Sequence, residues 1–304
     1  MRAPGDAPLK SFAGSIEVAL AASMWGCWSL FLRPSGLPAL ATTPAVFLVM
    51  GALILPFASR ESLRPAWNRA TVTMLIVYAA TDAVNVLTFF AAMDLTTIAI
   101  AVLTHYLMPL VVALLAPVVE RERVSGAILA ALIATLGLIP ILGPVMISSK
   151  REIIGALLGI LSACAFSSSV FISRRLMPRI GVLRALSYHS ILSGLMLLPL
   201  CPFAVVAGRS TGDLLWVLSG IVALGAVAGV LFMHGLSSIG ATRAAILTYF
   251  EPLVAVIVGW VAWRERLTPM ALAGAVLIVA AGVWISQAPS RRVDSRDELN
   301  RSMA

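Results

Sequence analysis

Tyr106-Leu107-Met108-Pro109-Leu110 leads, eleven residues on, to Arg121-Glu122-Arg123, and Tyr249-Phe250-Glu251-Pro252-Leu253 leads over the same interval to Arg264-Glu265-Arg266. The two stretches are offset by 143 residues, as are Phe89-Phe90 and Phe232-Met233. A proline within an apolar run, followed at one fixed distance by the same charged tripeptide, is more than two hydrophobic helices share by composition. An internal repeat decides an architecture before any single motif does. The chain is therefore read as two units, 15–147 and 152–288, between a polar N-terminal tail, 1–14, and a charged, disordered C-terminal tail, 289–304.

The solvent follows from composition. Of 304 residues, 60% are hydrophobic and 12% charged, and the mean hydropathy is +0.98. Soluble chains carry roughly a quarter charged residues, so this one could not cover its own surface in water. A membrane-spanning helix needs about 20 mostly apolar residues. Runs of that kind are read at 15–33, 42–58, 70–92, 97–118, 124–143, 152–173, 184–207, 213–236, 241–262 and 268–286. Five spans per unit is an odd number, so the second unit enters the bilayer upside down relative to the first. The expected fold is an all-α membrane protein of ten transmembrane helices, arranged as two inverted five-helix repeats, a plan that allows alternating access around a midplane site.

The net charge of +8 lies in short gaps between apolar runs rather than in a stripe. That argues against nucleic acid and for a topology signal. With the N-terminus cytoplasmic, the inner gaps and tails hold sixteen of the 22 Lys and Arg residues and the outer gaps six. Both termini are thus expected in the cytoplasm, with the protein multi-pass in the bacterial inner (plasma) membrane. The first apolar run is read as a retained helix, not a cleaved signal. Cys27, Cys164 and Cys201 lie in apolar runs without CxxC or His-Cys spacing. No disulfide, metal site or cofactor is expected.

The stretch from Ala99-Ile100-Ala101 through Thr104-His105-Tyr106 to Pro109-Leu110 and on to Glu120-Arg121-Glu122-Arg123 resembles the fourth helix of EamA-type drug/metabolite transporters. Leu247-Thr248-Tyr249-Phe250-Glu251-Pro252-Leu253 to Arg264-Glu265-Arg266-Leu267-Thr268, with Gly274 and Gly282, is similar to the ninth and tenth, and Trp25 in Ser23-Met24-Trp25-Gly26 to the first. The resemblance implies a ten-helix fold with a central cavity and transport driven by ion or substrate gradients. It does not choose a substrate among amino acids, other metabolites, nucleotide sugars and drugs.

Features present in both halves read as scaffold, and polar groups present in one half only are candidates for function. Asp82, near the middle of the third run, corresponds to Gly225. A carboxylate at mid-bilayer is unfavourable by about 2.5–3.5 kcal/mol on insertion scales, so it should face a cavity or a partner, or be protonated. Tyr78, Asp82, Asn85 and Phe89 share one helical face. Glu251 corresponds to Met108 and precedes Pro252, and His105 corresponds to Thr248. Asp82, Glu251 and His105 are the proton-coupling candidates, each set against a purely structural role. Pro109 and Pro252 are expected to kink their helices. Tyr106 and Tyr249 are a matched pair, read either as cavity lining or as packing, and Trp25 as a cavity candidate. His189 and His234 are read as packing residues nearer span ends. Gly155-xxx-Gly159 and Gly225-xxx-Gly229 are close-approach surfaces, open either to packing within one chain or to a homodimer.

No catalytic residue is assigned: no GxSxG nucleophile elbow, HExxH or GxxxxGK[ST] stretch is read, and the two acids near mid-membrane lie on separate spans. The functional expectation is a secondary transporter, an exporter of a small metabolite such as an amino acid, working on a small-molecule substrate within a lipid bilayer. Multidrug efflux is the alternative. An intramembrane enzyme, a scaffold and a channel are weighed behind it. Reporter fusions at the two termini should both give the cytoplasmic signal; opposite signals would mean an odd number of crossings.

Overall fold

The computed structural model describes residues 6–143, 147 and 149–292. The charged tail from 293 on, the first five residues and most of 144–148 lie outside the described residues. Ten apolar segments follow one another, numbered here 1 to 10. Nine are long and apolar enough to cross a membrane: Phe12–Ser35, Ala39–Ser59, Arg69–Leu95, Ile98–Val119, Lys150–Ile180, Val182–Leu200, Thr211–Ile239, Ala241–Trp263 and Pro269–Gln287. The fifth in the chain, Ala127–Leu142, is shorter. The protein is therefore an all-α, multi-pass membrane protein.

Several boundaries differ from the sequence expectation. The helix of segment 1 starts at Asp6, inside the expected polar tail. Segment 6 runs to Ile180, because Ser167, Ser168 and Ser173 satisfy their hydroxyls on carbonyls of their own helix and do not interrupt it. Segment 5 loses its first turn to a short strand, β1 (Glu122–Val124), which pairs antiparallel with β2 (Ser290–Arg292). Ser290–Arg292 is thus ordered, where a disordered tail was expected, because the edge at β1 supplies backbone partners.

Without water in the hydrocarbon, backbone ends must be satisfied locally. Side-chain oxygens of Asn68, Thr97, Ser149, Ser210 and Thr268 each accept a first-turn amide, of Thr71, Ile100, Glu152, Asp213 and Ala271. The far ends of segments 4 and 9 turn at Arg121 and Arg264, the two non-glycine residues with positive φ among those described, at 53° and 57°.

Segments 4 and 9 are each broken once. The helix stops at His105 and resumes at Met108, and stops at Leu247 and resumes at Phe250. Proline removes an amide donor and crowds the carbonyl one turn earlier, which is why both breaks sit just before Pro109 and Pro252. The breaks touch: the Tyr249 hydroxyl donates to the Tyr106 carbonyl at 2.7 Å.

Segment 3 packs along 6, segment 2 along 7, segment 10 along 5 and segment 1 along 8. Outward faces carry large apolar side chains such as Phe57, Val118, Leu136, Leu157, Val261 and Val276, the surface a lipid solvent calls for. Segments 5 and 10 cross at glycine. A Cβ on Gly137 would lie 2.8 Å from the Gly274 carbonyl oxygen, and one on Gly274 would collide with the Gly137 carbonyl. Gly274→Val should therefore force this crossing apart, at a cost of about 1–3 kcal/mol. It should lower the thermal midpoint in detergent by several degrees, and an unchanged midpoint would mean that the crossing is not tight.

Candidate functional site

Between the two halves lies a cavity of about 330 Å³, within the range of small-molecule sites. Segment 3 supplies Tyr78, Asp82, Asn85 and Phe89, the face expected from their spacing. Trp25, His105 and Glu251 reach it from segments 1, 4 and 9. Six of the eight expected cavity residues are thus brought together from four segments. Gly225, the repeat counterpart of Asp82, faces the same space from a π-helical stretch of segment 8, Ile221–Val227. One side of the cavity carries a carboxylate where the equivalent position on the other is bare.

Tyr106 and Tyr249 do not line the cavity. Both are buried in the wall with their rings 5.7 Å apart. The Tyr249 hydroxyl donates to the Tyr106 carbonyl and lies 2.6 Å from the Thr135 hydroxyl, which also reaches the Ala131 carbonyl at 2.8 Å. The Tyr106 side chain instead backs Glu251 from behind. The reason is the break itself: the turn before each proline swings the preceding tyrosine toward segment 5 or the neighbouring break.

His105 and Asn85 line the cavity but are tied to its wall through one residue. Ser162 on segment 6 meets His105 Nδ1 at 2.8 Å and Asn85 Oδ1 at 2.7 Å. The His105 ring lies among Phe89, Tyr106 and Phe166.

Asp82 has a partner that sequence reading passed over. Its Oδ2 is 3.1 Å from Nε2 of His189 on segment 7, and the imidazole stacks on Tyr78 with centroids 4.0 Å apart. His189 was expected to pack near a span end; the start of segment 7 at Val182 instead places it two turns in, beside the cavity. A signal was available, since its repeat counterpart is the apolar Val46. His189 Nδ1 faces the carbonyls of Leu186 and Ala185 at 2.9 and 3.2 Å. Carbonyls cannot donate, so Nδ1 carries a hydrogen.

Apart from Ser169 and Ser173 the lining otherwise is aromatic and aliphatic, with Trp28, Phe47, Phe90 and Phe232 among the rings, and contains no Lys or Arg among the described residues. No group of three or more potential metal ligands occurs among them either. One GxSxG spelling, Gly208-Arg209-Ser210-Thr211-Gly212, lies away from this site. Its serine caps segment 8, bonded to the Asp213 amide and carboxylate at 3.1 and 2.7 Å, and is not poised as a nucleophile.

A hollow of small-molecule size walled by apolar membrane helices, with a few convergent polar groups, is the site of a membrane transport protein. The profile of the EamA-like transporter family matches residues 153–287. An uncharacterized transporter of Archaeoglobus fulgidus is 32% identical over 275 residues, covering 90% of this chain and 96% of the relative. The uncharacterized inner membrane transporter YicL of Salmonella typhimurium is 25% identical over 92% of this chain and 97% of its own. The pseudopaline exporter CntI of Pseudomonas aeruginosa is 28% identical over 81% and 88%. A protein of known crystal structure superposes with a TM-score of 0.74 at 17% identity, covering 94% of this chain and 97% of that one. The chain belongs to the EamA-like transporter family: it is a secondary transporter of small molecules across a membrane, not an enzyme.

Because Tyr249 joins the two breaks without touching the cavity, Tyr249→Phe should act on stability alone. Loss of a buried bridge of this kind costs about 1–2 kcal/mol. The thermal midpoint should fall while substrate affinity stays put; the reverse pattern would return Tyr249 to the site.

Proposed function

We propose that the protein is a ten-span carrier of two inverted five-helix units. On this reading it exports a small amphipathic metabolite, such as an amino acid, across the bacterial inner membrane by alternating access, with both termini in the cytoplasm. The observation that carries this reading is a matched closure at the two ends of the cavity.

On one side, Arg33 near the end of segment 1 pairs with Glu265 just after segment 9 at 2.7 Å and lies over the Trp263 ring. On the other, Arg174 in segment 6 pairs with Glu120 at the end of segment 4 at 3.1 Å. Exchanging the two units turns segments 1 and 9 into 6 and 4, so the two pairs join corresponding segments, although at shifted positions: the repeat counterparts of Arg33 and Glu265 are Leu176 and Glu122. The packing supports the same exchange: it converts 3-on-6 into 8-on-1 and leaves 2-on-7 and 5-on-10 unchanged. The pairing of β1 with β2 supports the count of ten. Those strands must lie at one membrane face, and the six segments from 5 to 10 return to it only if Ala127–Leu142 also crosses.

The two closures are unequal. The side chains of Arg33 and Glu265 are both 53% exposed, against 23% and 10% for Arg174 and Glu120. Arg174 further donates to the carbonyls of Leu236 and Ser237, at 3.0 and 3.1 Å. The terminus-bearing side is thus the more firmly closed. A scaffold or a channel has no use for twin closures, whereas a two-state carrier breaks one while keeping the other. The inner-membrane location is supported by the name of the Salmonella relative, and the outward direction by that of the Pseudomonas exporter.

The test uses Gly225→Cys, a cavity position with ordinary room for a Cβ, in a background without the three native cysteines. Glu265→Gln should speed labelling by a membrane-impermeant maleimide from the side opposite the termini, by about two- to fivefold for so exposed a pair. Glu120→Gln should speed it from the terminus-bearing side, and by more, the pair being less exposed. Both acting on one side, or neither acting, would remove alternating access.

A further inference from the structure

We propose that Asp82 and His189 form a one-proton site at which an organic ammonium and a proton exclude each other, so that the substrate enters as an amine-bearing cation in exchange for one proton. This rests on the carrier reading above and names the ligand chemistry of its cavity.

The argument is a count of hydrogens. Nδ1 of His189 is fixed as a donor by two carbonyls. The third neighbour, Ser190 Oγ at 3.5 Å, spends its own hydrogen on Leu186 O at 2.6 Å and can only accept. Titration is left to the Nε2···Oδ2 contact at 3.1 Å. With one hydrogen between them, as imidazolium with carboxylate or imidazole with acid, the pair is neutral and bonded. Without it, two lone pairs face each other in a site of low dielectric, and Asp82 is left as an unpaired anion. That state is unfavourable until a cation arrives.

An ammonium at Asp82 supplies what the proton supplied. The N–H or O–H bond of the pair breaks, the proton leaves to water, and the ammonium hydrogen-bonds the freed carboxylate. One positive charge replaces another, so the exchange of a monovalent cation for a proton is electroneutral at this pair. The surroundings fit a cation and no anion. Segments 1, 2, 6 and 8 face the pair with no titratable or charged side chain among the cavity residues, and the other titratable groups sharing the space are Tyr78, His105 and Glu251. Aromatic faces such as Trp25, Trp28 and Phe232 offer cation–π contacts and room for an apolar body.

The experiment is proton release from the purified full-length protein in weakly buffered detergent, titrated with tryptamine, phenylethylamine and, as anion, indole-3-propionate. The wild type should bind an amine and release about one proton per amine bound, with release fading at pH values where the pair is already deprotonated. His189→Gln keeps an amide donor on Asp82 without a titrating proton, and its release per bound amine should fall at least about fivefold. Asp82→Asn should weaken amine binding at least about tenfold. As a check independent of any variant's folding, ¹⁵N resonances of His189 in the wild type should show Nδ1 protonated throughout and Nε2 alone titrating. Release undiminished in His189→Gln, amine binding undiminished in Asp82→Asn, binding of the carboxylate in preference to the amines, no amine binding, or a titrating Nδ1 would each overturn the proposal. Intact proton release with a failed cysteine-labelling test would sink alternating access and leave this site standing; the opposite result would do the reverse.

Discussion

The hydroxyl of Tyr249, donated to the carbonyl of Tyr106, sits where two broken helices meet. In water such breaks would be hydrated and mean little. In hydrocarbon each polar group released by a proline has to find a partner inside the protein, so two broken helices are held against each other and against segment 5 through Thr135. The same rule governs the whole molecule. Most buried serines and threonines spend their hydroxyls on backbone carbonyls, several helix starts carry Asn, Ser or Thr, and the buried Arg184 gives hydrogens to the carbonyls of Leu63, Ile180 and Glu61 and lies 3.9 Å from the Glu61 carboxylate. Much of the polar chemistry left over after these obligations lines the central cavity.

What gathers there is unevenly divided. Positions equivalent under the repeat face the same space with different chemistry: Asp82 against Gly225, His189 against Val46, and Glu251 on one side with its counterpart Met108 buried on the other. On the carrier reading proposed above, the repeat would supply the frame for two similar conformations, and the asymmetric lining would give that frame one site rather than two. The ion pairs at the two ends repeat the contrast, alike in their helices and unlike in exposure.

Much of this was legible in the sequence. The repeat, the apolar runs, the prolines and the shared face of Tyr78, Asp82, Asn85 and Phe89 depend on local spacing and on the solvent, and a one-dimensional pattern carries both. The lengths of segments 5 and 6, the order at Ser290–Arg292 and the true start of segment 1 were not legible, because serine-rich stretches and polar ends take their structure from whichever partner is near. Family resemblance, read on the stretches around Pro109 and Pro252, agrees with the family profile over residues 153–287, and a transporter relative extends the likeness over 90% of the chain.

Sequence by itself determined that the chain dissolves in lipid, that it repeats, and that one acid at mid-depth needs a reason. Those are consequences of hydropathy, period and the expense of burying charge. Tertiary structure alone decided which histidine meets that acid, that Tyr106 and Tyr249 brace the wall instead of lining the cavity, and that Glu120 and Glu265 pair with Arg174 and Arg33. Each of these joins residues from different segments, and a contact across segments is set by how helices rotate and cross, which no spacing along the chain encodes.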